Sequence, residues 1–331
     1  MSKALFNNNV TPLNESEITI QIENLVKFVI TSYQPIKLSR YGRRSSIKFD
    51  GAFYLKILQI LPIYLSIYNP PPVGQLPSHD YSEHLEIFWR ACIETGLIGI
   101  KYMRYPFQLL TMSRAIVLVD LICQYANTSD FRRPTYDRLY ETNSKRNNLR
   151  DLAFTLHQRF SRLLVIRVDF KYRKECQHLV RIDDVFKHRD DIQQLKISDP
   201  LLKHSVGSAL LIEQGGKNGG YHIHAVFYFL GHDFIADWYI AEQIGKIWVK
   251  VTGDLGGYYN VHDKKLKFQS IGKLGIGMIY RSDQAAVRNS IEAISYLAKP
   301  EKKDQYLRIK PHNARTLVTG MSKKNKRKNA Y

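Results

Sequence analysis

Two histidines lie one residue apart in an apolar segment of the second half of the chain. His222 and His224 belong to YHIHAVFYFL, residues 221–230, and Glu213 ends the preceding apolar segment SVGSALLIE. The intervening QGGKNGG has the glycine-rich composition of a hairpin loop, and both flanking segments are rich in residues that favour β-strands. The sequence therefore predicts an antiparallel hairpin that carries two imidazoles and one carboxylate.

The alternation of side chains along a strand places His222 and His224 on the same face. Antiparallel pairing across the loop brings Glu213 close to His222 on that face. Two imidazoles and a carboxylate that converge in this way form a divalent-metal site with open coordination positions. The alternative is a structural or surface pair, because a chain with 11 histidines can contain a His-x-His pair by chance.

A tyrosine and a lysine lie one helical turn apart further along the chain. DQAAVRNSIEAISYLAK predicts a helix from Asp283 to Lys299, and its apolar stripe leaves Tyr296 and Lys299 together on the neighbouring polar stripe. The alternative interpretation is a tyrosine that covers the edge of the core. Tyr306 is a reserve candidate for any role that needs a reactive phenol, although a structural role is its first interpretation.

The charge of the chain indicates a polyanionic partner. The 331 residues carry a formal net charge of +19, and residues 151–331 hold 31 basic against 18 acidic side chains. In this half, basic side chains alternate with aromatic ones, a pattern that suits contacts with nucleic-acid backbone and bases. The alternative is an ordinary solvated basic face. The candidates for nucleic-acid binding are Lys264, Lys265, Lys267, Lys273, Arg281, Tyr258 and Tyr259.

The first half of the chain has the patterns of helices. SEITIQIENLVKFVITSY predicts a helix capped at Ser16, and SEHLEIFWRACIETGLIGI predicts another that begins after Ser82. The apolar residues 53–68 are interrupted by a lysine and a proline and are too few to span a bilayer, so they predict a buried helix pair. We therefore predict a helical N-terminal domain over residues 1–145.

The second half predicts an α+β domain over residues 146–320, followed by a basic tail over residues 321–331. RLLVIRVDFKY, Arg162 to Tyr172, is its first convincing strand. The histidines are expected on a central strand of an antiparallel sheet, flanked by helices near Ala236–Val251 and Asp283–Lys299. The first of these helices is predicted to bury one stripe against the sheet, formed by Trp238, Ala241, Ile244, Trp248 and Val251.

The sequence has no pattern typical of a disulfide framework, a signal peptide or a membrane helix, and this predicts the cellular compartment. Three scattered cysteines cannot form a disulfide framework, which indicates a reducing environment. The N-terminus has no apolar segment typical of a signal peptide, and no segment is long enough for a membrane helix. We predict a cytoplasmic protein that does not interact with a membrane.

In combination, these motifs resemble the HUH endonucleases, the family of rolling-circle replication initiators and relaxases. The family's His-hydrophobic-His motif is matched by His222-Ile223-His224, and its Tyr-x-x-Lys motif by Tyr296-Leu297-Ala298-Lys299. A closer similarity is to inovirus replication initiators and prophage proteins of the YagK/YfjJ type, over about residues 150–320. The family's first motif cannot be identified in this sequence, apart from VIRVDF as the strand expected to carry it. Residues 1–145 match no family that we can name.

The resemblance implies a replication-initiation endonuclease that nicks and rejoins DNA. A Mn²⁺ or Mg²⁺ ion held by His222, His224 and Glu213 would polarise the scissile phosphate, and Tyr296 would form a 5′-phosphotyrosine and release a 3′-hydroxyl. Lys299 would lower the pKa of the phenol or hold the phosphate. The helical domain would serve DNA recognition or oligomerisation.

The implied partners are single-stranded or hairpin DNA at an origin, a polymerase that extends the 3′-hydroxyl, and a host helicase, because the chain contains no G-x-x-x-x-G-K-[ST] motif. One alternative is a phage or prophage DNA-binding regulator in which the same fold has lost catalysis. A second alternative, an RNA phosphoesterase with paired His-x-Ser/Thr motifs, is disfavoured because the chain has no such motif.

Overall fold

The computed structural model describes five stretches of the chain, residues 14–33, 78–97, 111–215, 220–298 and 305–322. Lys299, the apolar helix pair predicted for residues 53–68 and the basic tail after residue 322 lie outside them. Within these stretches helices flank an antiparallel sheet, which confirms the predicted α+β class. No helix of the described residues is long and apolar enough to cross a membrane.

The described part of the first half contains four helices and one short strand. Three of the helices pack around a core that contains Leu25, Phe88 and Leu118. The fourth is long and continues into the second half of the chain. In order, these elements are α1 (Glu15–Ser32), β1 (His79–Tyr81), α2 (Glu83–Glu94), α3 (Met112–Ala126) and α4 (Ser129–Arg159).

Helix α1 is capped by Asn14, so the predicted cap at Ser16 is wrong. The Asn14 side chain accepts a hydrogen bond from the Glu17 amide at 2.9 Å, and the Glu17 carboxylate accepts one from the Asn14 amide at 3.2 Å. Ser16 is buried and accepts a hydrogen bond from the Gln214 side chain. The Ser16 hydroxyl therefore binds a side chain of the sheet and does not cap the helix. The helix predicted after Ser82 begins there, at Glu83.

The second half builds an antiparallel sheet with β4 at its centre. The strand order is β5-β2-β4-β3-β8, and β6 pairs with the part of β2 that β5 leaves free. Two strands have the bounds predicted from the sequence, β2 (Arg162–Tyr172) and β4 (Tyr221–Leu230). The remaining strands are β3 (Gly207–Gln214), β5 (Gly256–Asn260), β6 (Gly277–Tyr280), β7 (Ile309–Pro311), which pairs with β1, and β8 (Leu317–Met321).

Each face of the sheet is covered by a different pair of helices. Helices α5 (Ile182–Ser198) and α6 (Asp237–Val251) cover one face. Helices α4 and α8 (Gln284–Ser295) cover the other, where they pack on side chains such as Val226. A short helix, α7 (Lys265–Ser270), follows β5. Because residues two apart share a face, His222 and His224 lie on the face covered by α4 and α8.

The predicted buried stripe of α6 is confirmed at its three central residues, while Val251 at its end is partly buried and Trp238 at its start is not buried. Ala241, Ile244 and Trp248 are buried, and the Trp248 ring stacks on Phe170 with centroids 4.7 Å apart. Trp238 is half-exposed and donates its indole N–H to Asp263 at 2.8 Å. At about 100° per residue it lies roughly 80° around the helix axis from Trp248, which turns it away from the sheet.

Several contacts join the first helices to the sheet. Gln214 at the end of β3 donates to Thr19 of α1 at 2.9 Å, and the Tyr221 hydroxyl donates to Glu15 at 2.8 Å. The predicted boundary at residue 145 falls inside the uninterrupted helix α4. No helix or strand begins or ends at the predicted boundary, so the division into two domains stays a prediction.

The buried pair of Glu23 on α1 and Arg308, the residue before β7, tests a second connection between α1 and the second half of the chain. Burial alone would raise the pKa of Glu23, but the charges of Arg308 and Lys27 lower it. Glu23→Ala removes the carboxylate that faces a buried guanidinium, so we expect a loss of about 3–5 kcal/mol in the free energy of unfolding, measured in urea. Lys27→Ala, which removes only the half-exposed partner of Glu23, should cost less than about 1 kcal/mol. Equal small losses would contradict a structural role for the pair.

Candidate metal centre

The register of the β3–β4 hairpin places the three predicted ligands on one face. Glu213 pairs directly with His222, and Leu211 pairs with His224. Glu213 and His224 are buried, whereas His222 is partly exposed at the mouth of the cluster. The predicted proximity of Glu213 to His222 is thereby confirmed.

The distances within this cluster suit a single divalent ion. His222 Nε2 lies 3.5 Å and His224 Nε2 lies 3.1 Å from the same Glu213 oxygen, Oε2. Two ligands bound to one ion at about 2.1 Å are separated by roughly 3.0 Å in octahedral and 3.4 Å in tetrahedral geometry. One ligand atom from each of the three residues lies within 4.8 Å of the others. The cluster can therefore hold a metal ion with little rearrangement.

A fourth residue, Asp169, supports the cluster from β2 and was missed in the sequence. Asp169 pairs with His224 across the strands, and its Oδ1 lies 2.7 Å from His224 Nδ1. This contact orients the ring so that Nε2 faces Glu213, which is how a carboxylate behind a metal-binding histidine acts. Burial alone would raise the pKa of Asp169, but His224 and Arg167 lower it to about 2. The alternation of polar and apolar residues in VIRVDFKY could have indicated that Asp169 shares a face with the other polar residues of this strand.

His224 lies between two carboxylates, which decides its protonation. Burial alone would lower the pKa of His224, but the hydrogen bonds to Asp169 and Glu213 outweigh burial and raise it. The metal-free centre therefore favours a proton on His224. A metal ion must displace that proton, so metal binding at this centre weakens as the pH falls.

Tyr296 lies at the end of α8, on the same side of the sheet as the cluster. The helix ends at Ser295, earlier than predicted, and residues 296–298 form a single 3₁₀ turn. Leu297 and Ala298 are buried in the core that covers this face, whereas the Tyr296 side chain is 49% exposed. The predicted position of Tyr296 on a polar stripe agrees with this exposure.

Tyr306, the reserve candidate, has a structural environment. Its hydroxyl donates to Glu23 at 2.9 Å, and the guanidinium groups of Arg138 and Arg308 lie 4.3 and 4.8 Å from its ring centroid. Burial and the carboxylates of Glu23 and Glu83 raise the pKa of Tyr306 well above its ordinary value, although the two guanidinium groups act in the opposite direction. Burial and the carboxylates therefore oppose the formation of a phenolate, so Tyr306 is a poor nucleophile.

The two tyrosines of β5 point to opposite faces of the sheet. Tyr259 pairs with Asp169 and therefore lies on the face of the metal cluster, where Lys264 Nζ is 4.9 Å from its ring centroid. Tyr258 faces the other side and donates its hydroxyl to Glu242 of α6 at 2.8 Å. The structure therefore places Tyr258 away from the cluster.

The predicted cations have different environments. Lys265 forms an ion pair with Asp237, and Arg281 donates to the carbonyl of Gln158 at 3.0 Å, while Lys267 and Lys273 are exposed. Two cations beside the cluster were not predicted: Lys171 is exposed, pairs with His222 and shares its face, and Arg167 lies 3.4 Å from Asp169. No pattern in the sequence selects them, because their neighbours depend on which strand pairs with β4.

The chain matches no protein-family model, no curated protein sequence and no solved structure. What can be inferred about its activity therefore depends on the chemistry of the metal centre and of the side chains around it.

Proposed function

We propose that this protein is a metal-dependent endonuclease that nicks and rejoins single-stranded DNA through a phosphotyrosine intermediate. The observation that carries the proposal is the convergence of Glu213, His222 and His224, with Asp169 behind His224. Tyr296 is exposed on the same side of the sheet. The resemblance of the two motifs to HUH endonucleases agrees with this arrangement.

The metal is proposed to be Mn²⁺ or Mg²⁺. Glu213, His222 and His224 would hold it, and the remaining positions would be open to a phosphate oxygen and water. Because two of the three ligands are imidazoles, the centre favours Mn²⁺ over Mg²⁺, which prefers oxygen ligands. When bound, such an ion supplies a Lewis acid that polarises a non-bridging oxygen and orients the scissile phosphate.

In the proposed reaction the Tyr296 oxygen attacks phosphorus. A bond forms between the phenolic oxygen and phosphorus while the bond from phosphorus to the 3′ oxygen of the preceding nucleotide breaks. The phenol loses its proton and the 3′ oxygen gains one, which leaves a 5′-phosphotyrosine and a free 3′-hydroxyl. Lys299, three residues later in the sequence, is proposed to lower the pKa of the phenol or hold the phosphate. The reverse attack by a 3′-hydroxyl rejoins the strand.

The side chains around the centre suit a single strand. Tyr259 and Lys264 offer a base-stacking surface with an adjacent cation, and Lys171 lies beside His222. Lys267 and Lys273 are exposed cations that can follow the sugar-phosphate backbone. The substrate is therefore proposed to be single-stranded or hairpin DNA at a replication origin, with a host helicase and polymerase as partners.

The alternative is a DNA-binding regulator on the same fold without catalysis. One observation favours it: His224 already has a carboxylate on each side, Asp169 at 2.7 Å and Glu213 at 3.1 Å. This ion-paired arrangement can serve stability without any metal.

A covalent-capture experiment tests the proposal. The full chain is incubated with Mn²⁺ and a pool of random-sequence single-stranded oligonucleotides with labelled 3′ ends. We expect a labelled protein–DNA adduct that survives a denaturing gel and disappears on nuclease treatment, with enriched captured sequences that define the preferred site. Retarded DNA in a native gel but no adduct with Mn²⁺ or Mg²⁺ would support the regulator instead.

A further inference from the structure

Three strands carry one row of residues across the mouth of the metal centre. His222 of β4 pairs with Lys171 of β2, and Lys171 pairs in turn with Gly257 of β5. Directly paired residues share a face, and neighbouring strands lie about 4.8 Å apart, so Gly257 is roughly 10 Å from His222 on the face of the metal cluster. Lys171 is exposed, and the other two are partly exposed. The row therefore forms an open surface that leads from the metal centre to the edge of the sheet.

Gly257 has space above it that no side chain fills. A Cβ atom added there would meet nothing closer than 3.5 Å, the distance to the Arg173 side chain, and its contacts with Lys171 would be ordinary. The preceding glycine differs, because a Cβ on Gly256 would come within 2.7 Å of Trp248 on the opposite face. Gly257 has no positive φ either. Neither packing nor backbone conformation requires this glycine, and its missing side chain leaves a groove beside Lys171.

The next row of the sheet places an aromatic ring and a second cation beside this groove. Tyr259 pairs with Asp169, which pairs with His224, so its ring lies on the face of the cluster. Lys264 Nζ is 4.9 Å from the centroid of that ring. Within the residues that the structure describes, neither Lys264 nor Lys171 forms an ion pair. Both cations are therefore available to phosphates of a bound strand.

We propose that the substrate strand leaves the metal centre across β2 towards β5 and places one nucleotide between Lys171 and Tyr259, an inference that rests on the proposed function. Lys171 binds the phosphate next to the scissile one, and Gly257 leaves room for the sugar-phosphate backbone. The base stacks on Tyr259, and Lys264 contacts the following phosphate. Stacking needs an unpaired base but does not read its edge, so this subsite takes a single strand and accepts any of the four bases.

The test measures binding of a short fluorescent oligothymidine to the full chain with Mn²⁺, by anisotropy. Gly257→Ile adds a β-branched side chain that suits a strand and has room at its Cβ, so Tm and its rise with Mn²⁺ should stay native. Affinity should fall about fivefold or more, the effect of losing at least one stacked base. The matched control is Thr319→Ile, which adds the same side chain at an exposed position of β8 on the other edge of the sheet. It should bind as the native protein does.

Tyr259→Leu tests the stacking contact separately. It should weaken binding about 5- to 100-fold, the effect of removing one stacked base. Its matched control, Tyr280→Leu, removes a half-exposed tyrosine of β6 and should leave the affinity native. Lys171→Ala should lower the slope of log Kd against log salt concentration by about 0.7, the value for one phosphate contact with a single strand. Native affinity in Gly257→Ile or in Tyr259→Leu, or no binding of oligothymidine by the native protein, would overturn the inference.

Failure of this inference and failure of the proposed function give different results. Oligothymidine binding requires no cleavage, so weaker binding by these variants without any covalent adduct from the native protein would remove the endonuclease proposal and leave the path of the strand. Native rates of adduct formation in Gly257→Ile and Tyr259→Leu would remove the path alone.

Discussion

Replacement of Tyr296 by phenylalanine should abolish DNA cleavage while DNA binding remains nearly native. Phenylalanine keeps the ring and deletes only the oxygen that is proposed to attack phosphorus. We expect the rate of adduct formation to fall by about four orders of magnitude or more, as for loss of other catalytic nucleophiles. Affinity for single-stranded DNA and its dependence on salt should change little, because phosphate contacts supply most of the binding free energy.

The measurements are a denaturing gel for the covalent adduct and fluorescence anisotropy at several salt concentrations for binding. Tyr280→Phe is the matched control, because Tyr280 is 48% exposed, close to the 49% of Tyr296, and is not part of the proposed site. It should form the adduct at the native rate. Adduct formation by Tyr296→Phe would show that another residue is the nucleophile, and Tyr306→Phe would then be the next variant to examine.

The second large effect should be the loss of metal-dependent stability when a ligand is removed. At a Mn²⁺ concentration about 100-fold above the dissociation constant, binding should stabilise the native state by about 2.7 kcal/mol and raise Tm by roughly 4 °C. His222→Ala should eliminate most of this increase. It is the cleanest variant, because His222 is partly exposed and its removal leaves the pair of His224 and Asp169 in place.

The control for this measurement is His232→Ala, which removes an exposed histidine outside the cluster. It should leave the Mn²⁺-dependent rise in Tm intact. The rise should also be smaller at pH 6 than at pH 8, because a metal must displace the proton that the two carboxylates favour on His224. A native protein whose Tm does not respond to Mn²⁺ or Mg²⁺ at either pH would indicate that the cluster is an ion-pair network with a structural role.

Sequence reasoning located the hairpin of the metal centre because its information is local. The glycine-rich loop and the alternation in YHIHAVFYFL predicted both the shared face of the histidines and the proximity of Glu213. The same reasoning selected Tyr258 together with Tyr259, but adjacent residues of a strand point to opposite faces. Only the pairing of β5 with β2 decided which of the two tyrosines lies on the same face as the cluster.

The environment of Tyr306 shows a second limit, whereas the error at the cap of α1 has a local cause. Asn14 and Ser16 are both residue types that cap helices, but only Asn14 is followed three residues later by a glutamate, Glu17, with which it forms the capping box. Tyr306 was the reserve candidate for the nucleophile, but its hydroxyl donates to Glu23 of α1, and burial together with this carboxylate raises the pKa of the phenol. Local propensity cannot represent such contacts, because they depend on how distant segments pack.

By itself the sequence determined the α+β class, the bounds of β2 and β4 and the three candidate metal ligands, because strand periodicity and loop composition are properties of neighbouring residues. Only the tertiary structure decided that Asp169, 55 residues before His224, orients that imidazole, and that Lys171 and Gly257 lie in one row with His222. The physical reason is that strand pairing and helix packing bring together side chains far apart in the chain, and the free energy of burying them depends on which neighbours they meet.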